Sequence, residues 1–197
     1  MKKKKNTKPF RPFIVDVEAS GFGCESYPIE IGLALEGDNR YCSLIFPADR
    51  WTHWDMAAEG THQISRDILI KHGKPLTQVA RELNHFLGGL TVYSDGWVTD
   101  KPWVTRLFSE AGIRQAFRIS PLECILTEPQ MEIWHTTKDS VIDSMALTRH
   151  RASADAFIIQ ETFFRTRVKT QDHPLNLQPI LKIKNQTHDF TPRQHAR

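Results

Sequence analysis

A chain of 197 residues with 40% hydrophobic and 25% charged side chains is long enough to bury the core of one ordinary domain, and it does not have the composition of a disordered protein. No apolar run approaches the roughly 18 residues that a membrane span needs, and the start MKKKKNTKPFRPF lacks the apolar segment of a secretion signal, so a cytoplasmic protein without a membrane partner is expected. Cys24, Cys42 and Cys124 are odd in number and lack C-x-x-C spacing, so neither a disulfide framework nor a thiolate zinc site is indicated.

The net charge of +3 is unevenly distributed. Residues 1–11 carry six basic side chains and no acid, and residues 165–197 carry seven against Asp172 and Asp189. The stretch between them therefore holds 13 basic and 21 acidic residues. Such a body can recruit cations, while the tails can attract a polyanion or serve solubility.

Taken in chain order, Phe13, Ile14, Val15 and Val17 form a β-rich run closed by Ser20 and Gly21. Residues 28–36 and 40–46 read as two strands joined at Gly37-Asp38-Asn39, a hairpin. In PLTQVARELNHFLGG the spacing of Leu76, Val79, Leu83, Phe86 and Leu87 predicts an amphipathic helix ended by Gly88 and Gly89. LTVYSD returns to a strand, and KPWVTRLFSEAG follows as a helix with Pro102 near its first turn and Gly112 past its end. IWHTTKDSVIDSMALTRH and ADAFIIQETFFRTRV read as two further helices. These elements give a basic tail (1–11), one α/β domain with a mixed central sheet flanked by helices (12–168), and an extension without sustained periodicity (169–197).

The first strand contains an anomaly. Asp16 and Glu18 lie within an apolar run, where an unpaired carboxylate is costly. Side chains alternate across a strand, so these two acids share one face while Val15 and Val17 take the other. Like charges so close raise one another's pKa unless a hard cation lies between them. Two further acids stand where the fold would bring them near: Asp100 after the LTVYSD strand, and Asp155 at the opening of the last helix. His150 lies five residues before Asp155, and the ASADAF start puts it on a loop outside that helix.

These segments, VDVEASG, SDGWVTDKPWVTRLF and HRASADA, resemble in sequence and order the three motifs of the DEDDh 3'–5' exonucleases, from about Phe13 to Arg167. The resemblance implies a ribonuclease H-like fold in which Asp16, Glu18, Asp100 and Asp155 hold two divalent cations, Mg²⁺ or Mn²⁺, with His150 as general base. It implies as partner a single-stranded nucleic acid with a free 3' end. Independently, phosphodiester hydrolysis needs an activated water and relief of charge on the phosphate, which two ions about 3.5–4 Å apart supply. Oxygen-only ligands select hard ions, and an imidazole with a pKa near 6.5 can accept the water's proton.

The motif pattern departs from the family at two places. The family usually has Asn four residues before the second-motif Asp, where this chain has Gly96, and Asp95 beside it competes with Asp100 for the metal or serves alongside it. His62, in EGTHQISRDIL, resembles the family's His-Gly-Ile segment with Gln63 in place of Gly, and is read as shaping the loop. Phe22, on the turn after Glu18, is the best candidate for stacking on a base, because the resemblance implies that residues just past this motif meet the terminal nucleotide; Trp51, Trp54, Trp97 and Trp103 could stack on bases too, but most are read as packing residues. A non-catalytic nucleic-acid-binding module and a ribonuclease H-like endonuclease remain as alternatives on the same fold.

Overall fold

The computed structural model describes residues 10–145, 147 and 149–171. The lysine-rich start and most of the 169–197 extension lie outside the described residues. A five-stranded sheet of order β3-β2-β1-β4-β5 comprises β1 (Ile14–Ala19), β2 (Pro28–Ala34), β3 (Arg40–Leu44), β4 (Thr91–Ser94) and β5 (Arg118–Pro121). The β1-β2-β3 half is antiparallel, while β1-β4 and β4-β5 pair in parallel, so the sheet is mixed as expected. The predicted hairpin forms, with Gly37 at φ +68° on its turn, a conformation that glycine reaches without steric cost.

Helices cover both faces. Between β3 and β4 lie α1 (Met56–His62), α2 (Arg66–His72) and α3 (Leu76–Leu87), and α4 (Trp97–Ala111) follows β4. After β5 come a 3₁₀ turn (Leu122–Ile125), α5 (Glu128–Glu132), α6 (Trp134–Met145) and α7 (Ala152–Gln171). Val15 and Val17 of β1 join Ile29, Ile31 and Leu33 of β2 in one core with Val79 and Leu83 of α3 and Val104 and Leu107 of α4. Ile14 and Ala34, of the opposite parity, pack with Ala156, Ile159 and Phe163 of α7 and Trp134 of α6. Every residue of β2 is buried, because both of its faces are covered.

Several boundaries differ from those read in the sequence. α4 begins at Trp97, four residues before KPWVTRLF, so Pro102 sits inside the helix and not in its first turn. The exposed ring and its missing N–H are tolerated on the solvent side of α4, where Val98 is 78% exposed. α6 stops at Met145, which leaves His150 in the connection to α7. α7 continues to Gln171, so the first three residues assigned to the extension are helical. β5, α1, α2 and α5 carried no sequence signal strong enough to be read: β5 has four residues, and α1, α2 and α5 have seven or fewer.

Candidate metal centre and nucleic-acid cleft

Asp16 and Glu18 project from β1 toward the layer that holds α7, as the alternation requires. Across the ladder they face Gly32 and Glu30 of β2, respectively. Gly32 explains how α7 reaches the acids: a Cβ at this position would lie 2.1 Å from the Ala152 carbonyl carbon and from the Ser153 nitrogen. The backbone that starts α7 thus rests directly on the sheet. That contact carries Asp155, in the first turn of α7, to the acidic face of β1.

Glu30 clamps the same junction. Fully buried, its carboxylate accepts hydrogen bonds from Arg151 Nε at 3.1 Å, from Arg151 Nη2 and from the Ala152 N–H at 2.8 Å. A buried acid is tolerable only with such compensation. The sequence signal that singled out Asp16 and Glu18, an acid inside an apolar strand, was present in PIEIGLA too and had not been used for Glu30.

One carboxylate oxygen each from Asp16, Glu18 and Asp155 lie within 4.8 Å of one another, a spacing that could hold a metal ion. Asp155 is paired with Arg149 at 2.7 Å, whereas Asp16 and Glu18 have no ion pair among the described residues. Burial pushes the Asp16 carboxyl well above the usual carboxylate range, and the neighbouring Asp100, Glu18, Asp155 and Asp95 push it further. Burial, followed by the charges of Asp155 and Glu30, raises Glu18 to about 7. Asp100 is likewise raised to about 7, chiefly by burial, although a hydrogen bond from Ser94 Oγ favours its ionised form. Three acids that resist ionisation, Asp16, Glu18 and Asp100, with Asp155 beside them, form a site suited to hard cations, and every donor is oxygen.

Asp16, Glu18, Asp100, Asp155, His150, Phe22, His62 and Asp95, the residues picked from the sequence, all line a single cleft of about 290 Å³. It opens at the carboxyl ends of the parallel strands β1 and β4, the usual ligand position in open α/β sheets. Asp100, at the start of α4, is buried and stands outside the tight Asp16-Glu18-Asp155 triad. Asp95 is paired with Lys138 Nζ of α6 at 2.8 Å, a partner 43 residues away that no local pattern announced. His150 adopts φ +59° in the loop before α7, exposed at the rim.

His62 ends α1 and is buried, with Nδ1 accepting the Ile64 N–H at 3.1 Å. Burial lowers its pKa, so the ring is neutral and the proton is assigned to Nε2. Gln63 follows at φ +57°, the left-handed conformation that a glycine reaches more easily. Phe22 is 75% exposed on a turn made by Gly21 and Gly23, both at positive φ, and its ring leans on Trp103 at 6.2 Å. Trp51, by contrast, is buried and stacks on Tyr27. Lys138 and Arg149, both lining the cleft, were missed in the sequence, although Arg149 directly precedes the third motif.

A larger groove of about 760 Å³ runs along the outer side of α4, past Trp97, Lys101 and Arg106. Its one carboxylate, Glu110, is bound by Arg50, so it offers no metal centre. The acidic triad lies in the smaller cleft.

No protein-family model matches the chain, and no curated protein matches its sequence. Solved structures do match in fold. E. coli Exonuclease I in complex with a dA16 oligonucleotide superposes with a TM-score of 0.59 at 11% identity, over 80% of this chain and 41% of that one. The same enzyme in complex with a dT13 oligonucleotide gives 0.59 at 12% identity, over 81% and 41%. Exonuclease I from Methylocaldum szegediense gives 0.58 at 11%, over 79% and 40%. This chain thus spans about two fifths of the length of these neighbours, and what it shares with them is the mixed α/β, ribonuclease H-like fold of Exonuclease I.

Proposed function

We propose that the chain is a metal-dependent nuclease of the DEDDh type that removes nucleotides from the 3' end of single-stranded DNA or RNA. The observation that carries this reading is the Asp16-Glu18-Asp155 triad within 4.8 Å, in a cleft that His150 and Asp100 also line. A neighbour of the same fold has been crystallised with single-stranded oligonucleotides, which supports the substrate class.

Asp16, Glu18 and Asp155, with Asp100 beside them, would hold the cations. When bound, Mg²⁺ or Mn²⁺ ions, two in this reading, acidify water and neutralise phosphate charge. The protein's own groups do the rest. His150, at the rim on a loop, accepts the proton of the attacking water. The water oxygen bonds to the terminal phosphorus as the bond from phosphorus to the 3' oxygen of the preceding nucleotide breaks, and the leaving oxygen takes up a proton. A nucleoside 5'-monophosphate and a strand shorter by one result. Phe22 offers an exposed ring on which the terminal base can stack.

Incubating 5'-labelled single strands of DNA and RNA with Mn²⁺ and with EDTA tests the reading. A ladder of products shortened one at a time, abolished by EDTA, is expected. Internal cuts would indicate an endonuclease, and a shifted but intact band would indicate a binding module. His150→Ala should slow cleavage by about 10²–10⁴-fold, the usual contribution of a general base, while Mn²⁺ binding measured by calorimetry persists. Asp155→Ala should lose both. Equal loss of metal in the two variants would make His150 a ligand and refute its role as base.

A further inference from the structure

Among the described residues, two lysine or arginine side chains line the cleft, Lys138 and Arg149, and each is paired with a carboxylate of the cleft. Lys138 holds Asp95, which lies outside the triad. Arg149 instead holds a member of the triad, its Nε donating to Asp155 Oδ1 at 2.7 Å. A divalent cation in the triad would sit against the same carboxylate, so guanidinium and metal compete for one negative charge. The Asp155 side chain does not depend on Arg149 for its orientation, because Oδ2 accepts the Arg151 backbone N–H at 3.2 Å and the residue is built into the first turn of α7. The two partners are also unequally enclosed: the Arg149 side chain is 39% exposed and that of Asp155 only 14%. The arginine stands on the loop before α7, beside His150, with room to turn outward.

We propose that Arg149 is an exchangeable counter-cation: it neutralises Asp155 while the site lacks metal, gives the carboxylate up when metal binds, and then grips the phosphate of the bound strand. Its planar fork suits two nonbridging oxygens at once, which an ammonium cannot match in geometry. Because His150 is the next residue, the same loop would bring the phosphate grip and the proton acceptor to the reacting group together. The inference rests on the metal-nuclease reading and adds a residue that the three motifs do not contain.

The two halves of this role predict effects of opposite sign, which a structural role would not. For the full chain, Mn²⁺ alone is titrated calorimetrically into wild type, Arg149→Met and Arg149→Lys, and single-turnover cleavage of a 5'-labelled oligo-dT is measured at saturating Mn²⁺. Removing the competing charge should tighten Mn²⁺ binding by about two- to fivefold, as expected for a partly exposed ion pair. Cleavage by Arg149→Met should nevertheless fall by about ten- to a hundredfold, in the range for a lost charge-stabilising donor. Arg149→Lys should bind Mn²⁺ like wild type and cleave at an intermediate rate. Weaker or unchanged Mn²⁺ binding by Arg149→Met, or undiminished cleavage, overturns the proposal. A wild type that neither binds Mn²⁺ nor cleaves defeats the nuclease reading itself, and the role of Arg149 with it.

Discussion

Replacing Asp16 by Asn tests whether the cluster is held together against its own charge. Asp16 is pushed well above the usual carboxylate range by burial and by Asp100, Glu18, Asp155 and Asp95, so its ionised form is a liability in the metal-free protein. Glu18, on the same strand face, sets the scale: a displacement from 4.5 to about 7 corresponds to about 3 kcal/mol at about 1.4 kcal/mol per unit. For a group raised on folding, the folded state binds more protons between the unfolded and folded pKa values. Stability therefore falls as the pH rises through that window, here from about 4.5 to 7 for Glu18, and the full cost is present above it. Asp16→Asn, which keeps the shape and removes the charge, should stabilise the metal-free protein at pH 8 by about 1–3 kcal/mol, or about 2–10 °C in Tm for a chain of this size. The gain should shrink toward pH 5, as the raised carboxyls of Asp16 and Glu18 take up protons in the wild type. Thermal melts in EDTA at pH 5, 6.5 and 8, repeated with excess Mn²⁺, read the effect. Metal should raise the Tm of the wild type more than that of Asp16→Asn, and cleavage by the variant should be abolished. A variant less stable than wild type in EDTA at pH 8 would show that the protein itself compensates Asp16, and would refute the repulsive cluster.

Gly32→Ala should move Asp155 relative to the rest of the acidic triad without touching it: the new Cβ would lie 2.1 Å from the backbone of Ala152 and Ser153, over 1 Å short of ordinary contact at 3.4–4 Å. The start of α7 must shift, at about 1–3 kcal/mol of stability and about a hundredfold in rate; a stable, fully active variant by melting and single-turnover assay would contradict the close approach. Phe22→Ala should weaken binding of a single strand by about 1–3 kcal/mol with little change in melting temperature, because the ring is 75% exposed; unchanged affinity in a fluorescence-anisotropy titration would exclude stacking there.

The sequence by itself determined the parts of this protein that follow from local periodicity. The period of two put Asp16 and Glu18 on one face of β1, the turn residues Gly37-Asp38-Asn39 joined β2 to β3, and the spacing of Leu76, Val79, Leu83 and Leu87 made α3. The position of Asp155 at the start of α7, with His150 outside it, was readable for the same reason. Elements too short to show a period, such as β5, α1 and α2, were not, since pairing and burial and not propensity hold a four-residue strand or a seven-residue helix in place. Only the tertiary structure decided which side chains meet. Glu30 meets Arg151 across 121 residues of sequence, Lys138 meets Asp95 across 43, and Gly32 admits the backbone of α7 to the acidic face of β1. Such meetings depend on how strands register and helices cross, which no single segment encodes, and they set the charge that a metal ion or a phosphate would encounter in the cleft.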